Sequence, residues 1–85
     1  GCCGITGERL TPHQALCHHI KPTAQGDTDE YDNLIIINRK YHMLIHNSDP
    51  LRNKEYQKVL SKFEAKAINK LNRLRTEVGN PKLSL

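Results

Sequence analysis

Four of the five histidines in this 85-residue chain fall into two groups with informative spacing. His42 and His46 are four residues apart in a stretch predicted to be helical, so both imidazole rings should project from one helix face. Two imidazoles placed in this way can bind one divalent metal ion, although such a pair alone is more often a surface or packing feature. His18 and His19 form a doublet at the end of a predicted strand, and Asn33 stands just before the next one.

Three short elements are expected to position these side chains. The β-branched run Leu34–Ile37 is the strongest strand signal, and residues 15–20 are expected to form a shorter strand. The polar stretch 22–32 contains proline and glycine and predicts a loop. A helix is expected to begin near Asn38 as its N-cap and to end by Asn47 or Ser48.

The second half of the chain is predicted to be helical. Asp49 before Pro50 predicts a helix that starts there and runs to about Leu60. The segment Ser61–Glu64 matches a capping box, which predicts the start of a second helix. Apolar residues follow at helical spacing, and Gly79 is expected to end this helix.

Positive charge is concentrated in the second half. Residues 1–50 hold four basic and six acidic groups, a net charge of −2, whereas residues 51–85 hold nine basic and three acidic groups, a net charge of +6. This asymmetry favours contact with a polyanion, most simply nucleic acid. One stripe on the last predicted helix is the candidate surface, with a plain solvated face as the alternative: Lys62, Lys66, Lys70 and Arg73.

The cysteines and the hydropathy pattern indicate the compartment. Cys2, Cys3 and Cys17 are an odd number at one end of the chain, unlike the even set of a secreted disulfide framework, which favours the reducing cytoplasm. Cys3 and Cys17 could form half of a second, structural zinc site, but such sites need four ligands, so packed free thiols are preferred. No apolar run is long enough to span a membrane, and no signal-peptide pattern is seen. A membrane partner is therefore not expected. Because Gly1 comes first and Met43 is the only methionine, the chain is expected to be a piece of a longer protein.

The order of these motifs resembles the HNH endonuclease family. The resemblance rests on Cys17-His18-His19-Ile20 followed by Pro22, on the loop from Gly26 to Asn33-Leu34, and on Tyr41-His42 followed by Ile45-His46. The segment Cys3–Leu10, the loop and the basic tail are most similar to the C-terminal endonuclease domain of group II intron reverse transcriptase/maturases. The chain departs from that branch at Asp27, where a second glycine is usual, and in lacking a further cysteine pair around the second strand and helix.

The resemblance implies a fold class and a division of the chain. The fold would be α+β, a small two-stranded ββα-metal core of the His-Me finger type followed by two C-terminal helices. Residues 1–48 would be the nuclease core, residues 49–80 a basic two-helix extension of the same domain, and residues 81–85 a tail.

The resemblance also implies a mechanism, a metal-dependent hydrolysis of a phosphodiester bond in DNA. His18, His42 and His46 would hold one divalent ion, with magnesium, manganese, zinc and nickel all left open. His19 would act as general base on the attacking water, and Asn33 would fix the segment that carries this base by hydrogen bonding across the loop. Neighbours on a regular strand point to opposite faces, so the strand is expected to be irregular near Ile20.

In the intron context the partners would be DNA and, through the parent protein, intron RNA, with no small-molecule substrate. The site of action would be a nucleoid-associated ribonucleoprotein in the cytoplasm of a bacterium, or an organellar matrix. Two alternatives stay open. One is a non-catalytic zinc-binding module that binds nucleic acid, and the other is a standalone HNH nuclease of homing or restriction type.

Overall fold

Two strands and three helices form the described part of the chain, residues 1–21 and 31–85, in this computed structural model. The strands are β1 (Ala15–His19) and β2 (Leu34–Asn38), and the helices are α1 (His42–His46), α2 (Lys54–Ser61) and α3 (Ala65–Glu77). Short 3-10 turns precede β2, α1 and α2, at Tyr31–Asn33, Arg39–Tyr41 and Pro50–Arg52. This arrangement confirms the predicted α+β class. Most of the predicted loop, including Asp27, lies outside the described residues.

The two strands pair antiparallel in an unbroken register, from Ala15 opposite Asn38 to His19 opposite Leu34. The strand pairing contains no bulge. β1 ends at His19, and the chain bends over the next two residues, Ile20 and Lys21. The irregularity expected near Ile20 is therefore present only as this bend after the last strand residue, and the pairing of His18 and His19 themselves is regular.

The start of the first helix matches the sequence prediction. The side chain of Asn38 accepts a hydrogen bond from the backbone N–H of Lys40 at 3.1 Å, which caps the 3-10 turn that leads into α1. Asn47 follows the last residue of α1. Leu44 and Ile45 of this helix are fully buried, because the apolar face of α1 packs into the core.

The core joins the two halves of the chain. Helix α3 lies against α1, and its apolar positions 67, 71 and 74 are buried in one core cluster with residues of α1 and β2. Tyr41 also connects the halves, since its ring packs edge-on against Phe63 at 5.0 Å between centroids. The buried apolar residues come from both halves: Cys3, Ile5, Ile37, Tyr41, Leu44, Ile45, Leu60, Ala67, Leu71 and Leu74.

The N-terminal turn depends on two glycines. The N–H of Gly4 donates to the carbonyl of Ile36 at 2.7 Å, and a Cβ at this position would collide with the side chain of Ile35. Gly7 has φ +81°, a left-handed conformation that favours glycine. The close approach lets Cys3 and Ile5 enter the core.

The starts of the two later helices differ from the sequence predictions. A 3-10 helix does begin at Pro50 as predicted, but Asp49 makes no capping hydrogen bond. The α-helix α2 begins only after Asn53, whose side chain accepts from the N–H groups of Glu55 and Tyr56. The predicted capping box is also wrong. Ser61 is the last residue of α2 and its hydroxyl donates to the carbonyl of Lys58 at 2.6 Å, while α3 begins after Glu64 without a side-chain cap.

The end of α3 agrees with the prediction. Gly79 has φ +85°, and its N–H donates to the carbonyl of Thr76. The next N–H, of Asn80, donates to the carbonyl of Arg75 at 2.9 Å. This pair of bonds is the Schellman motif, in which glycine accommodates the left-handed residue.

The corrected cap gives a testable difference in stability. Asn53→Ala removes the acceptor for two N–H groups at the start of α2 and should lower the free energy of unfolding by about 1 kcal/mol. Ser61→Ala is the matched control and should change it by less than about 0.5 kcal/mol, since exposed sites without a cap contribute little. Urea unfolding followed by circular dichroism measures both variants. A greater loss for Ser61→Ala would contradict the assignment of the cap.

None of the helices in the described ranges is long and apolar enough to cross a membrane.

Candidate metal centre

Three histidines from two elements meet at one point of the structure. His18 comes from β1, and His42 and His46 come from one face of α1, as their spacing predicted. Their candidate ligand atoms all lie within 4.8 Å of one another. The ring centroids of His18 lie 5.9 Å from His42 and 5.4 Å from His46, and those of His42 and His46 are 4.4 Å apart. This is the only such cluster of histidine, cysteine and acidic groups in the described ranges.

The cluster is buried on the side of His18 and open to solvent on the side of His46. His18 is 5% exposed and forms its floor, His42 is half-buried, and His46 is exposed. Three imidazoles with one open side match the pattern of catalytic metal sites, which keep a coordination position for water or substrate.

The electrostatic environment favours the neutral form of two of the three imidazoles, those of His18 and His46. Burial and the neighbouring His46, His42 and His19 lower the pKa of His18 to about 4. Partial desolvation of the His46 ring, together with the neighbouring His42, also lowers the pKa of His46. A neutral imidazole is the form that binds a metal ion, so the lowered pKa values of His18 and His46 favour metal binding.

A ring nitrogen of His18 indicates that the cluster can bind a cation. Nε2 of His18 is buried and has no hydrogen-bond partner. A buried polar atom without a partner costs about 1–3 kcal/mol. A metal ion between the three rings would satisfy this nitrogen, so the residues present fit a divalent cation.

Asn33 and His19 are not members of this cluster but lie close to His18 along the strand pair. The side-chain oxygen of Asn33 accepts from the N–H of Lys21 at 3.0 Å, and its amide nitrogen donates to the carbonyl of the same residue at 3.3 Å. The Asn33 carbonyl also accepts from the N–H of Ile20 at 2.8 Å. Asn33 therefore ties the two ends of the loop together just beyond His19. The half-buried His19 lies beside His18 on β1, and strand alternation directs its side chain to the opposite face.

The cysteines do not extend the cluster. Cys3 is buried in the core, where its Sγ accepts from the N–H of Asn38 at 3.4 Å, and Cys17 is exposed on β1. Both are free thiols. Within the described ranges, neither belongs to a group of three or more potential ligands.

The basic stripe is exposed along α3 and the turn before it. Lys62, Lys66 and Lys70 line one shallow hollow together with the turn at Thr6 and Gly7. Arg73 lines a separate hollow with Asn69, Asn72 and Lys82.

Sequence reasoning missed Arg75, which is fully buried beside the end of α1. Its guanidinium donates four hydrogen bonds, all to backbone carbonyls, at Leu44, Asn47, Ser48 and Pro81. In the sequence it resembles any other cation of the basic tail. Its position within α3, between buried Leu71 and Leu74 on one side and Val78 on the other, was the available signal that it faces inward.

Comparison with known proteins identifies the part of the chain that carries the cluster. The profile of the HNH endonuclease family matches residues 1–48, more than half of the 85 residues. The match includes all three clustered histidines, His19 and Asn33, whereas Arg75 and the basic stripe lie beyond it. No curated protein and no solved structure matches the chain significantly.

Proposed function

Since the chain belongs to the HNH endonuclease family, we propose that it cleaves DNA by metal-dependent hydrolysis of a phosphodiester bond. Membership of the family implies a nuclease that uses a divalent metal. The observation that carries the proposal is that the candidate ligand atoms of His18, His42 and His46 lie within 4.8 Å of one another. In addition, the buried Nε2 of His18 has no hydrogen-bond partner.

His18, His42 and His46 would hold the ion through neutral imidazole nitrogens. When bound, the ion supplies a Lewis acid that neutralises charge developing on the phosphate and on the departing oxygen. The exposed side of the cluster, at His46, is where a phosphate can approach.

His19 is proposed as the general base that takes a proton from the attacking water. An imidazole suits this task because it exchanges a proton near neutral pH. His18 and His19 lie on opposite faces of β1, and His19 is its last residue, so a phosphate served by both would lie at the end of the strand, where Ile20 and Lys21 bend away. The side-chain hydrogen bonds of Asn33 to Lys21 hold the chain at that point, which supports a positioning role for Asn33.

The extension, residues 49–80, is proposed to belong to the same domain and to contact the DNA backbone. The shared core and the contact of α3 with α1 support the first part. The second part is supported by the exposed lysines at 62, 66 and 70 around one hollow, with Arg73 further along the same helix. Cations that replace the counterions of phosphates contribute affinity without reading sequence.

The lysine hollow predicts a change in the salt dependence of DNA binding. Replacing Lys66 and Lys70 together by alanine should reduce the slope of log K against log salt by about 2, since each lost phosphate contact removes about 0.9. Fluorescence anisotropy with a labelled duplex at several salt concentrations measures this slope. The matched double variant Arg52→Ala/Lys54→Ala removes two exposed cations outside the hollow and should leave the slope near that of the wild type. Equal slopes for both double variants would show that Lys66 and Lys70 do not form a specific phosphate-binding surface.

We further propose that the domain acts in a group II intron-encoded reverse transcriptase, where it would cut the strand opposite the insertion site with intron RNA as a partner of the parent protein. The support is the resemblance of Cys3–Leu10, of the loop and of the basic tail. The three free thiols agree with a reducing compartment, cytoplasmic or organellar. A polymerase segment upstream in the same reading frame would support this context, and an independent start codon directly before the chain would point to a standalone nuclease.

Nicking of supercoiled plasmid by the purified domain tests the activity. Conversion to open circles is expected with added Mg²⁺ or Mn²⁺ and should stop with a chelator. A folded sample that binds DNA but nicks with none of Mg²⁺, Mn²⁺, Zn²⁺ or Ni²⁺ would favour a non-catalytic zinc-binding module.

A further inference from the structure

Arg75 is a fully buried cation whose hydrogen bonds converge on the end of the metal-site helix. Nη1 donates to the carbonyls of Leu44 at 2.5 Å and Asn47 at 2.7 Å, and Nη2 donates to the carbonyl of Ser48 at 3.3 Å. The same guanidinium is tied to the chain after α3, since Nε donates to Pro81 at 2.9 Å. Burial lowers the pKa of Arg75 and nearby Asp49 raises it, but guanidinium groups stay protonated in proteins.

The end of α1 needs these donors. α1 has only five residues, so most of its carbonyls have no partner within the helix. Those carbonyls also carry the negative end of the helix dipole, which a cation stabilises. Asn80 completes the set, because its side-chain amide donates to the carbonyl of Ile45 at 2.8 Å.

His46 is the last residue of α1 and lies between the carbonyls that Arg75 and Asn80 bind. A shift of this last turn would move His46 relative to His18, which belongs to a different element. Both residues that hold this turn, Arg75 and Asn80, lie outside the family match, which ends at residue 48.

We propose that Arg75, with Asn80, is a positioning residue that sets the geometry of the three-histidine centre by holding the last turn of α1. This inference rests on the proposed metal centre but concerns metal affinity, independently of cleavage. Residues that orient metal ligands typically contribute 10–100-fold in metal affinity.

The test measures Zn²⁺ affinity of the 85-residue chain by competition with a chromophoric chelator, together with the visible absorption spectrum of the Co²⁺ form. Arg75→Met should weaken Zn²⁺ binding by about 10–100-fold and alter the Co²⁺ spectrum. Arg75→Lys keeps a cation and fewer donors, and should recover part of the affinity.

Asn72→Ala is the matched control. Asn72 lies on the same helix and makes two hydrogen bonds to Leu83 in the tail, so its loss weakens the fold without touching α1. Its Zn²⁺ affinity and Co²⁺ spectrum should equal those of the wild type. This comparison separates a general loss of stability from a loss of metal-site geometry.

If Arg75→Met does not fold, Arg75→Lys and Asn80→Ala decide the question, because Asn80→Ala removes only the bond to Ile45 and leaves the arginine in place. Wild-type affinity and an unchanged Co²⁺ spectrum in every folded variant would overturn the inference. A wild-type chain that binds Zn²⁺ but never nicks DNA would count against the proposed function alone. A wild-type chain that binds no Zn²⁺ would count against both.

Discussion

His19→Ala is expected to nick supercoiled plasmid about 10²–10⁴-fold more slowly than the wild type, the usual contribution of a general base. Its metal affinity should stay close to that of the wild type, because His19 is not a member of the three-histidine cluster. The measurement is the rate of open-circle formation at saturating Mn²⁺, with Zn²⁺ affinity determined on the same sample.

His13→Ala is the control for this variant, since His13 is exposed and lies outside the cluster. It should nick at the rate of the wild type. Nicking by His19→Ala within a factor of about three of the wild type would remove His19 from the mechanism, because a general base contributes at least about 10²-fold. Loss of Zn²⁺ affinity together with activity would instead make His19 a ligand.

Removing His46 should abolish both cleavage and stabilisation by metal. Zn²⁺ at 100 times its dissociation constant should raise the free energy of unfolding of the wild type by about 2.7 kcal/mol, the value for a ligand that binds only the folded state. His46→Ala removes an exposed ligand, so without metal its stability should lie within about 0.5 kcal/mol of the wild type. Added Zn²⁺ should then produce almost no increase.

Thermal unfolding with Zn²⁺ or with a chelator measures this difference. His13→Ala again serves as the control and should keep the full increase, which shows that a histidine outside the cluster does not contribute. An equal increase in melting temperature for His46→Ala and the wild type would show that the metal binds elsewhere.

Local patterns predicted most of the elements around the site. The β-branched run from Leu34 marked β2, and Asn38 marked the turn into α1, because strand propensity and N-capping depend on neighbouring residues only. Capping signals gave the wrong starts for α2 and α3, where two candidate capping residues lie close together in the sequence. Asp49-Pro50 resembled a helix start, but Asn53 caps α2, and Ser61 bonds back into the last turn of α2.

The sequence by itself determined that His42 and His46 share one helix face, since a spacing of four residues is a property of the helix alone. It also determined the α+β order of elements and the concentration of positive charge after residue 50. Spacing could not place His18 against that pair, which only the family resemblance implied. The tertiary structure places it there, because the pairing of β1 with β2 decides which of two adjacent histidines faces α1. The tertiary structure also revealed the role of Arg75, whose carbonyl partners at Leu44 and Asn47 are 31 and 28 residues away along the chain. Spacing within one element is encoded locally, whereas a buried cation and its partners are brought together only when α3 packs on α1.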